Sequence, residues 1–253
     1  MGYWCFQPAS GLSTARSMTP FYFGATGQRL FGVYDAPRSA PIRRGVVICY
    51  PIGLEYYRSH RACCALSRQI AEAGMDALRF DYAGTGDSDG EVCDFSAGDW
   101  VANVGQAVDE LKDMTGLSKV GLVGLRFGAA LAARSAEQRN HGECVVLWDP
   151  TLDPDECVGD PRRDVYPPEF LEGLRKLGAE GPDDPPDRRL VVTTEPEEAG
   201  KAQLGGGDER ILAAAETRRC KGPRVWQEEG DFGSAGLPVH AIRTISEWLA
   251  ETA

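Results

Sequence analysis

Short apolar runs alternate with longer amphipathic stretches along most of the chain. The apolar runs have the length of strands buried on both faces, and they lie at 46–50, 75–80, 119–123, 144–148 and 189–194. The amphipathic stretches carry apolar residues at helical spacing, and they lie at 58–73, 96–115, about 129–137 and 238–250. This alternation predicts an α/β fold, with a mostly parallel sheet flanked by helices on both faces.

The two ends of the chain depart from this alternation. Residues 1–18 have no clear period and are predicted to form a leader or an arm. Residues 21–34 contain two short apolar runs around a Gly-Ala-Thr-Gly turn, which predicts a β-hairpin. Near the C-terminus, the composition of 207–219 predicts a helix, and that of 224–227 predicts the last short strand.

A segment rich in proline and acidic residues interrupts the alternation at about 151–187. Only one short helix is expected within it, at about 168–178. An insertion of this length between two strands is typical of a cap over a binding site. We therefore expect one domain over 19–253 with a short cap, although a solvated surface excursion would have the same composition.

Charge and cysteine content exclude several classes of function. The net charge of −11 disfavours binding to nucleic acid, because phosphates repel an acidic surface. No run of 18 apolar residues is present to span a membrane, and the N-terminus lacks the pattern of a secretory signal. The eight cysteines include no Cys-x-x-Cys pair, which favours reduced thiols in the cytoplasm over disulfides or a metal site. No cofactor is expected.

The most informative stretch is Gly-Leu-Arg-Phe-Gly at 124–128. It follows a predicted strand and precedes an alanine-rich helix, and its two glycines let strand and helix pass closely. This is the pattern of a nucleophile elbow, Gly-x-Ser-x-Gly. The apex here is Arg126, whose guanidinium stays protonated and cannot act as a nucleophile.

Four stretches together resemble the α/β-hydrolase superfamily, most closely its serine-aminopeptidase-like group, which includes hydrolases associated with exosortase systems. They are the elbow, Pro-Ile-Gly at 51–53, Arg-Phe-Asp-Tyr-Ala-Gly-Thr-Gly-Asp-Ser at 79–88, and the final helix around His240. The resemblance covers about residues 20–253. It implies an α/β-hydrolase fold with a short cap, and a catalytic triad from which the serine is missing.

The resemblance also implies a base and an acid. His240 stands where the family has its general base, since imidazole exchanges a proton near neutral pH. The family's acid follows the seventh strand, where Glu195 and Glu197 are both candidates. Asp149, at the end of the sixth strand, is the alternative acid. A solvated acidic loop explains the glutamates equally well.

The turn residues imply an oxyanion hole that does not need the serine. Its donors would be the backbone N–H groups of Phe127 and of Ile52 or Gly53, which stabilise a developing negative charge. Arg126 then has two alternative roles. It anchors a carboxylate or phosphate of the substrate, or it forms an ion pair with Glu195, Glu197 or Asp149 that closes a catalytically inactive site.

Other side chains near the turn have candidate roles. Ser59 and His60 begin the predicted helix after the Pro-Ile-Gly turn, where free N–H groups favour anions, so they are candidates to face the substrate. An ordinary first helical turn is the alternative. Ser88 is more typical of a structural hydroxyl, and Cys49 of a buried core thiol than of a nucleophile.

The sequence therefore predicts an enzyme with a non-standard triad. It would act on a small or carrier-bound acyl ester, thioester or related carbonyl compound, by His-assisted water attack or proton transfer. The alternative is a catalytically silent member of the fold that binds a ligand or partner. A homodimer is compatible with either. An open apolar pocket around Arg126 would favour the enzyme, and a pocket filled by the arginine's own ion pair would favour the binder.

Overall fold

The computed structural model describes residues 18–139, 143–158, 166–180, 186–195, 215–227 and 236–251. The described strands are β1 (Met18–Phe23), β2 (Leu30–Asp35), β3 (Gly45–Cys49), β4 (Asp76–Phe80), β5 (Val120–Leu125), β6 (Val145–Trp148), β7 (Arg189–Glu195) and β8 (Glu216–Lys221). The described helices are α1 (Leu54–Glu72), α2 (Ala97–Thr115), α3 (Phe127–Arg139), α4 (Asp155–Val158), α5 (Pro168–Glu180) and α6 (Val239–Glu251).

These strands form one sheet in the order β1-β2-β4-β3-β5-β6-β7-β8. β1 pairs antiparallel with β2, and β2 antiparallel with β4, whereas the remaining pairs are parallel. The strands β3 to β6 are buried along their whole length, as their continuous apolar sequences require. Helix α1 packs against α6, and α2 packs against α3, so that helices flank the sheet. The predicted fold class and N-terminal hairpin are confirmed.

Capping residues and glycines in the sequence determine where several helices begin and end. Ser96 caps α2 because its hydroxyl accepts a hydrogen bond from the N–H of Asp99 at 3.3 Å. Gly74 follows the end of α1 with a φ of 91°, a conformation that glycine adopts without strain. The start of α1 was predicted four residues too late, at 58 instead of Leu54. This error matters because the additional turn carries a residue of the candidate site.

The last strand was predicted in the wrong place. Residues 224–227 contain a turn, with Val225 and Trp226 buried, and β8 lies at Glu216–Lys221 instead. The glutamate and arginines of this segment favour a helix in isolation, but parallel pairing with β7 makes it an edge strand. The predicted helix at 207–219 is therefore wrong for 215–219, and its earlier part lies outside the described residues.

The second glycine of the elbow supports a stability test. A Cβ on Gly128 would lie 2.4 Å from the carbonyl oxygen of Tyr50, so Gly128→Ala must displace β3 or α3. We expect it to lower the free energy of unfolding by about 1–3 kcal/mol in a denaturant titration. Gly98→Ala is the matched control, since its nearest heavy atom beyond the adjacent residues would be 3.5 Å away. Equal stability of the two variants would contradict the close approach at the elbow.

Candidate active site at the elbow

The elbow has the strained geometry that its sequence predicts. Arg126 has a φ of 54°, in the left-handed region that costs a non-glycine residue about 1–3 kcal/mol. Its N–H donates to the carbonyl oxygen of Trp148, and its own carbonyl oxygen accepts from the N–H of Ala129, each at 3.0 Å. The turn thus joins β5 to α3 and presents the Arg126 side chain beyond the end of β5.

Four residues of the protein hold the Arg126 guanidinium. Its Nε donates to both carboxylate oxygens of Glu55 at 3.1 Å, and its Nη2 donates to Oε2 of Glu156 at 3.1 Å. Its Nη1 donates to the backbone oxygen of Asp149 at 3.3 Å, and its Cζ lies 5.3 Å from the centre of the Trp226 ring. Of the two roles predicted for Arg126, the structure therefore shows the ion pair with acidic side chains. The carboxylates come from α1 and α4, however, and not from Glu195 or Asp149.

Burial makes this ion pair costly to disturb. The side chain of Arg126 is 13% exposed and that of Glu55 is 5% exposed. Burial raises the pKa of Glu55, and the charge of Arg126 opposes that shift. Burial alone would lower the pKa of Arg126, but Glu55 raises it above its usual value. Each charge is thus tolerated in the interior because the other is present.

Two of the three candidate oxyanion donors, the N–H groups of Phe127 and Gly53, lie against other groups of the protein, and the third candidate, Ile52, is buried. The thiol of Cys157 lies close to both the N–H of Phe127 and the carboxylate of Glu55. The N–H of Gly53 donates to the hydroxyl of Tyr166 at 3.0 Å. Cys157 lies in α4 and Tyr166 shortly before α5, so both partners come from the segment that was predicted to be a cap.

Two cavities flank this arrangement. One, of about 390 Å³, surrounds the ion pair and is lined by Glu55, Arg58, Arg126, Glu156, Cys157, Trp226 and Gln227. The other, of about 290 Å³, adjoins the turn at 51–53 and has aromatic walls. Its aromatic rings belong to Tyr56, Tyr57, Tyr82, Trp100 and Tyr166. The first cavity is thus lined largely by paired charges, and the second is the more apolar space.

Solved structures show what this architecture resembles, whereas no family model and no curated protein matches the sequence significantly. Est1E from Butyrivibrio proteoclasticus, with ferulic acid bound, has a TM-score of 0.65 at 16% identity, over 92% of this chain and 98% of that one. An α/β serine hydrolase homologue from Coxiella burnetii has a TM-score of 0.59 at 16% identity, over 94% and 99%. XC6422 from Xanthomonas campestris, described as an α/β serine hydrolase without a lid, has 0.60 at 14% identity, over 93% of each. This chain has the α/β-hydrolase fold.

The predicted base of this α/β-hydrolase fold lies on the surface. His240 is exposed in the first turn of α6, and its Nδ1 is 3.4 Å from Nη2 of Arg243. Among the described residues, no hydrogen bond joins His240 to Arg126, Asp149 or Glu195. The segments at 196–214 and 228–235, which flank β8 and its turn, lie outside the described residues.

The predicted acids differ in their surroundings. Glu195 ends β7, and its Oε1 is 3.5 Å from Nη1 of Arg219 on the neighbouring strand. Glu197 lies outside the described residues. The alternative acid, Asp149, is buried beyond the end of β6, where its carboxylate accepts hydrogen bonds from the backbone N–H of Thr194 at 2.7 Å and from its hydroxyl at 2.6 Å. Burial raises the pKa of Asp149 to about 7, against the opposing effects of Thr194 and of two arginines.

Neither Ser59 nor His60 lines either cavity. Because α1 begins at Leu54, both residues belong to its second turn, with Ser59 buried in the interior. His60 stacks on the ring of Tyr50, with ring centres 5.8 Å apart. Glu55 and Arg58, three residues apart on one helix face, face the elbow instead. The single carboxylate in the run after the Pro-Ile-Gly turn was the signal that could have identified Glu55.

The remaining candidates are structural. The Ser88 hydroxyl donates to the backbone oxygen of Asp81 at 2.7 Å and accepts from the N–H of Phe31 at 2.9 Å, so it fixes the loop after β4 to β2. Cys49 is fully buried, and burial raises its pKa to about 12, so it remains a protonated core thiol. Both outcomes match the structural interpretations made from the sequence.

The described residues contain no cluster of three or more His, Cys, Asp or Glu side chains arranged to hold a metal ion. In the same part of the chain, every helix is too short or too polar to cross a membrane.

Proposed function

We propose that this protein uses the α/β-hydrolase fold to bind a small carbonyl compound without nucleophilic catalysis at the elbow. The ion pair between Arg126 and Glu55 carries the proposal, because it fills the position from which a nucleophile would attack. The hydrogen bond from the N–H of Gly53 to Tyr166 supports it, as does the Cys157 thiol close to the N–H of Phe127, since a preorganised oxyanion hole needs N–H groups that are available to the reacting oxygen. Helix α4 and Tyr166 would then act as a fixed cap over the elbow.

The aromatic cavity of about 290 Å³ is the proposed ligand site. Its volume is near the lower end of the usual range for small-molecule pockets. Its lining includes no lysine or arginine, and its one carboxylate is that of Glu91, so an uncharged ligand is favoured over an anion. Aromatic walls favour a planar ring that can stack on them. The bound ferulic acid in Est1E makes an aromatic acyl compound a suitable first probe, with its uncharged methyl ester as the better match.

Calorimetric titration with methyl ferulate tests this proposal. We expect saturable binding to the wild type, and binding weakened several-fold by Tyr57→Ala, which removes one exposed aromatic wall. Tyr22→Ala is the matched control, because Tyr22 is also exposed but lies on β1, outside the cavity. Equal weakening by both substitutions, or no binding to the wild type, would refute the cavity as the ligand site.

The second candidate is an enzyme acting on an acyl ester, thioester or related carbonyl compound by His-assisted water attack or proton transfer. Asp149 favours it, because a buried carboxyl with a pKa near 7 is suited to proton transfer at neutral pH. Nitrophenyl esters and acyl thioesters, offered to the wild type and to His240→Ala, separate the two candidates. Turnover that disappears with the histidine would establish the enzyme, and no turnover in either protein supports the silent binder.

A further inference from the structure

A second cluster of reactive side chains lies on α1, outside both cavities. Nε2 of His60 is 3.4 Å from Sγ of Cys64, one helical turn further along. His60 is exposed and Cys64 is partly exposed, so solvent reaches the pair. The parallel stacking of His60 on Tyr50 fixes the plane of the imidazole ring beside the thiol.

The charges around the pair favour transfer of the thiol proton to the imidazole. Burial alone would raise the pKa of Cys64, but the hydrogen bond from His60 and the charges of Arg79 and Arg68 lower it below its usual value. The hydrogen bond with Cys64 raises the pKa of His60, and the charge of Asp81 raises it further. Partial burial and the charge of Arg79 lower it, but they do not cancel the rise. The two shifts agree in direction, because both favour a thiolate next to an imidazolium.

Arg79, on β4, adds a buried cation that feels the charge of Asp35 but forms no ion pair with it. It is 7% exposed, and its Nε has no hydrogen-bond partner in the described structure. Its Nη1 donates to the hydroxyl of Tyr50 at 3.4 Å and its Nη2 to Sδ of Met18 at 3.3 Å, both weak contacts for a guanidinium. No carboxylate of the described residues lies within ion-pairing distance of it. A buried cation of this kind attracts an anionic group that approaches the thiol.

We propose that Cys64, His60 and Arg79 form a thiol-exchange site that reacts with small disulfides bearing carboxylates, the chemical class of oxidised glutathione. The remaining described cysteines lack this combination: Cys49, Cys63, Cys144, Cys157 and Cys220 are buried, and Cys93 is exposed. The site is independent of the elbow, and it does not require the proposed ligand.

The exchange step balances within the site. The Cys64 thiolate attacks one sulfur of the disulfide, which forms a new S–S bond and breaks the original one. The second half of the disulfide leaves as a thiolate and takes the proton that His60 holds. The products are a mixed disulfide on Cys64, a free small thiol and a neutral imidazole, and a reducing thiol reverses the reaction.

Peptide mapping by mass spectrometry after exposure to oxidised glutathione tests the site. We expect Cys64 to be modified about tenfold faster than Cys93 at neutral pH, because the imidazole of His60, 3.4 Å away, stabilises its thiolate. His60→Gln should slow the reaction of Cys64 about tenfold and leave Cys93 unchanged. His60 is exposed, so this substitution should keep the fold, which an unchanged thermal midpoint would verify.

A charge series of disulfides tests the contribution of Arg79 without altering a buried residue. Oxidised glutathione should react faster than the uncharged 2-hydroxyethyl disulfide at Cys64 but not at Cys93, and added salt should reduce the difference. Equal rates at Cys64 and Cys93, or a Cys64 rate unaffected by His60→Gln, would overturn the exchange site. Equal rates for the two disulfides at Cys64 would overturn the role of Arg79.

Discussion

Replacing Arg126 with methionine is expected to lower the free energy of unfolding by about 3–5 kcal/mol at neutral pH, because it leaves the carboxylate of Glu55 buried without its cation. Glu156 is less affected, since its side chain is 44% exposed and water can solvate it. The loss of stability should depend on pH. Without the arginine, the pKa of Glu55 in the folded state rises further, so the variant is most stable below the pKa of the unfolded chain and loses stability as pH rises.

Denaturant titrations at acidic and neutral pH measure this effect. The double variant Arg126→Met/Glu55→Leu is the decisive control, because it removes both buried charges and should recover most of the lost stability. Arg175→Met is the surface comparison: Arg175 pairs with Asp155 at 2.7 Å, but both side chains are exposed, so a much smaller loss is expected. A double variant no more stable than Arg126→Met would show that the ion pair is not the reason for the loss.

Asp149→Asn is expected to remove a large part of the pH dependence of stability. The pKa of Asp149 is raised by burial from 3.8 to about 7, so the folded state binds this proton more tightly than the unfolded chain. The stabilisation is therefore complete below about pH 4 and is lost as pH rises to about 7, which amounts to about 4 kcal/mol at 1.36 kcal/mol per unit. Asparagine keeps the shape and tolerates the φ of 43° at this position.

The measurement is the free energy of unfolding of both proteins at several pH values from about 4 to about 8. The difference between wild type and Asp149→Asn should change by about 4 kcal/mol over this range, with the variant gaining relative stability at higher pH. Asp187→Asn makes the same chemical change at an exposed position and should leave the pH profile of the wild type unchanged. Parallel profiles for wild type and Asp149→Asn would contradict the raised pKa.

The sheet and the elbow could be predicted because their signals are local. Continuous apolar runs identify strands buried on both faces, and the two glycines of 124–128 identify a turn that a Cβ would obstruct. The loop after β4 was recognisable for the same reason. Its Gly86 has a φ of 54°, and a Cβ there would lie 2.1 Å from Oδ2 of Asp81. Such positions accept few residues, so the sequence shows them directly.

The partners of Arg126 could not be predicted because they depend on distant contacts. Glu55 lies 71 positions before the arginine, in a helical turn that the apolar pattern did not include. Glu156 comes from α4, a helix of four residues without a detectable period. The position of β8 was predicted wrongly for a related reason, since its polar sequence becomes a strand only through pairing with β7. Secondary-structure propensity describes a segment in isolation. The ion pair of Arg126 and the strand β8 instead depend on contacts with segments that are distant in the sequence.

The pairing of Arg126 with Glu55 also affects how readily such a site can acquire a nucleophile in evolution. Introducing serine at 126 alone leaves an interior carboxylate without its cation, and changing Glu55 alone leaves an interior guanidinium without its carboxylate, so each single substitution gives a less stable protein. Descendants of this chain would therefore tend to retain the arginine and the glutamate together, as a linked pair that selection for folding maintains whether or not any reaction is catalysed.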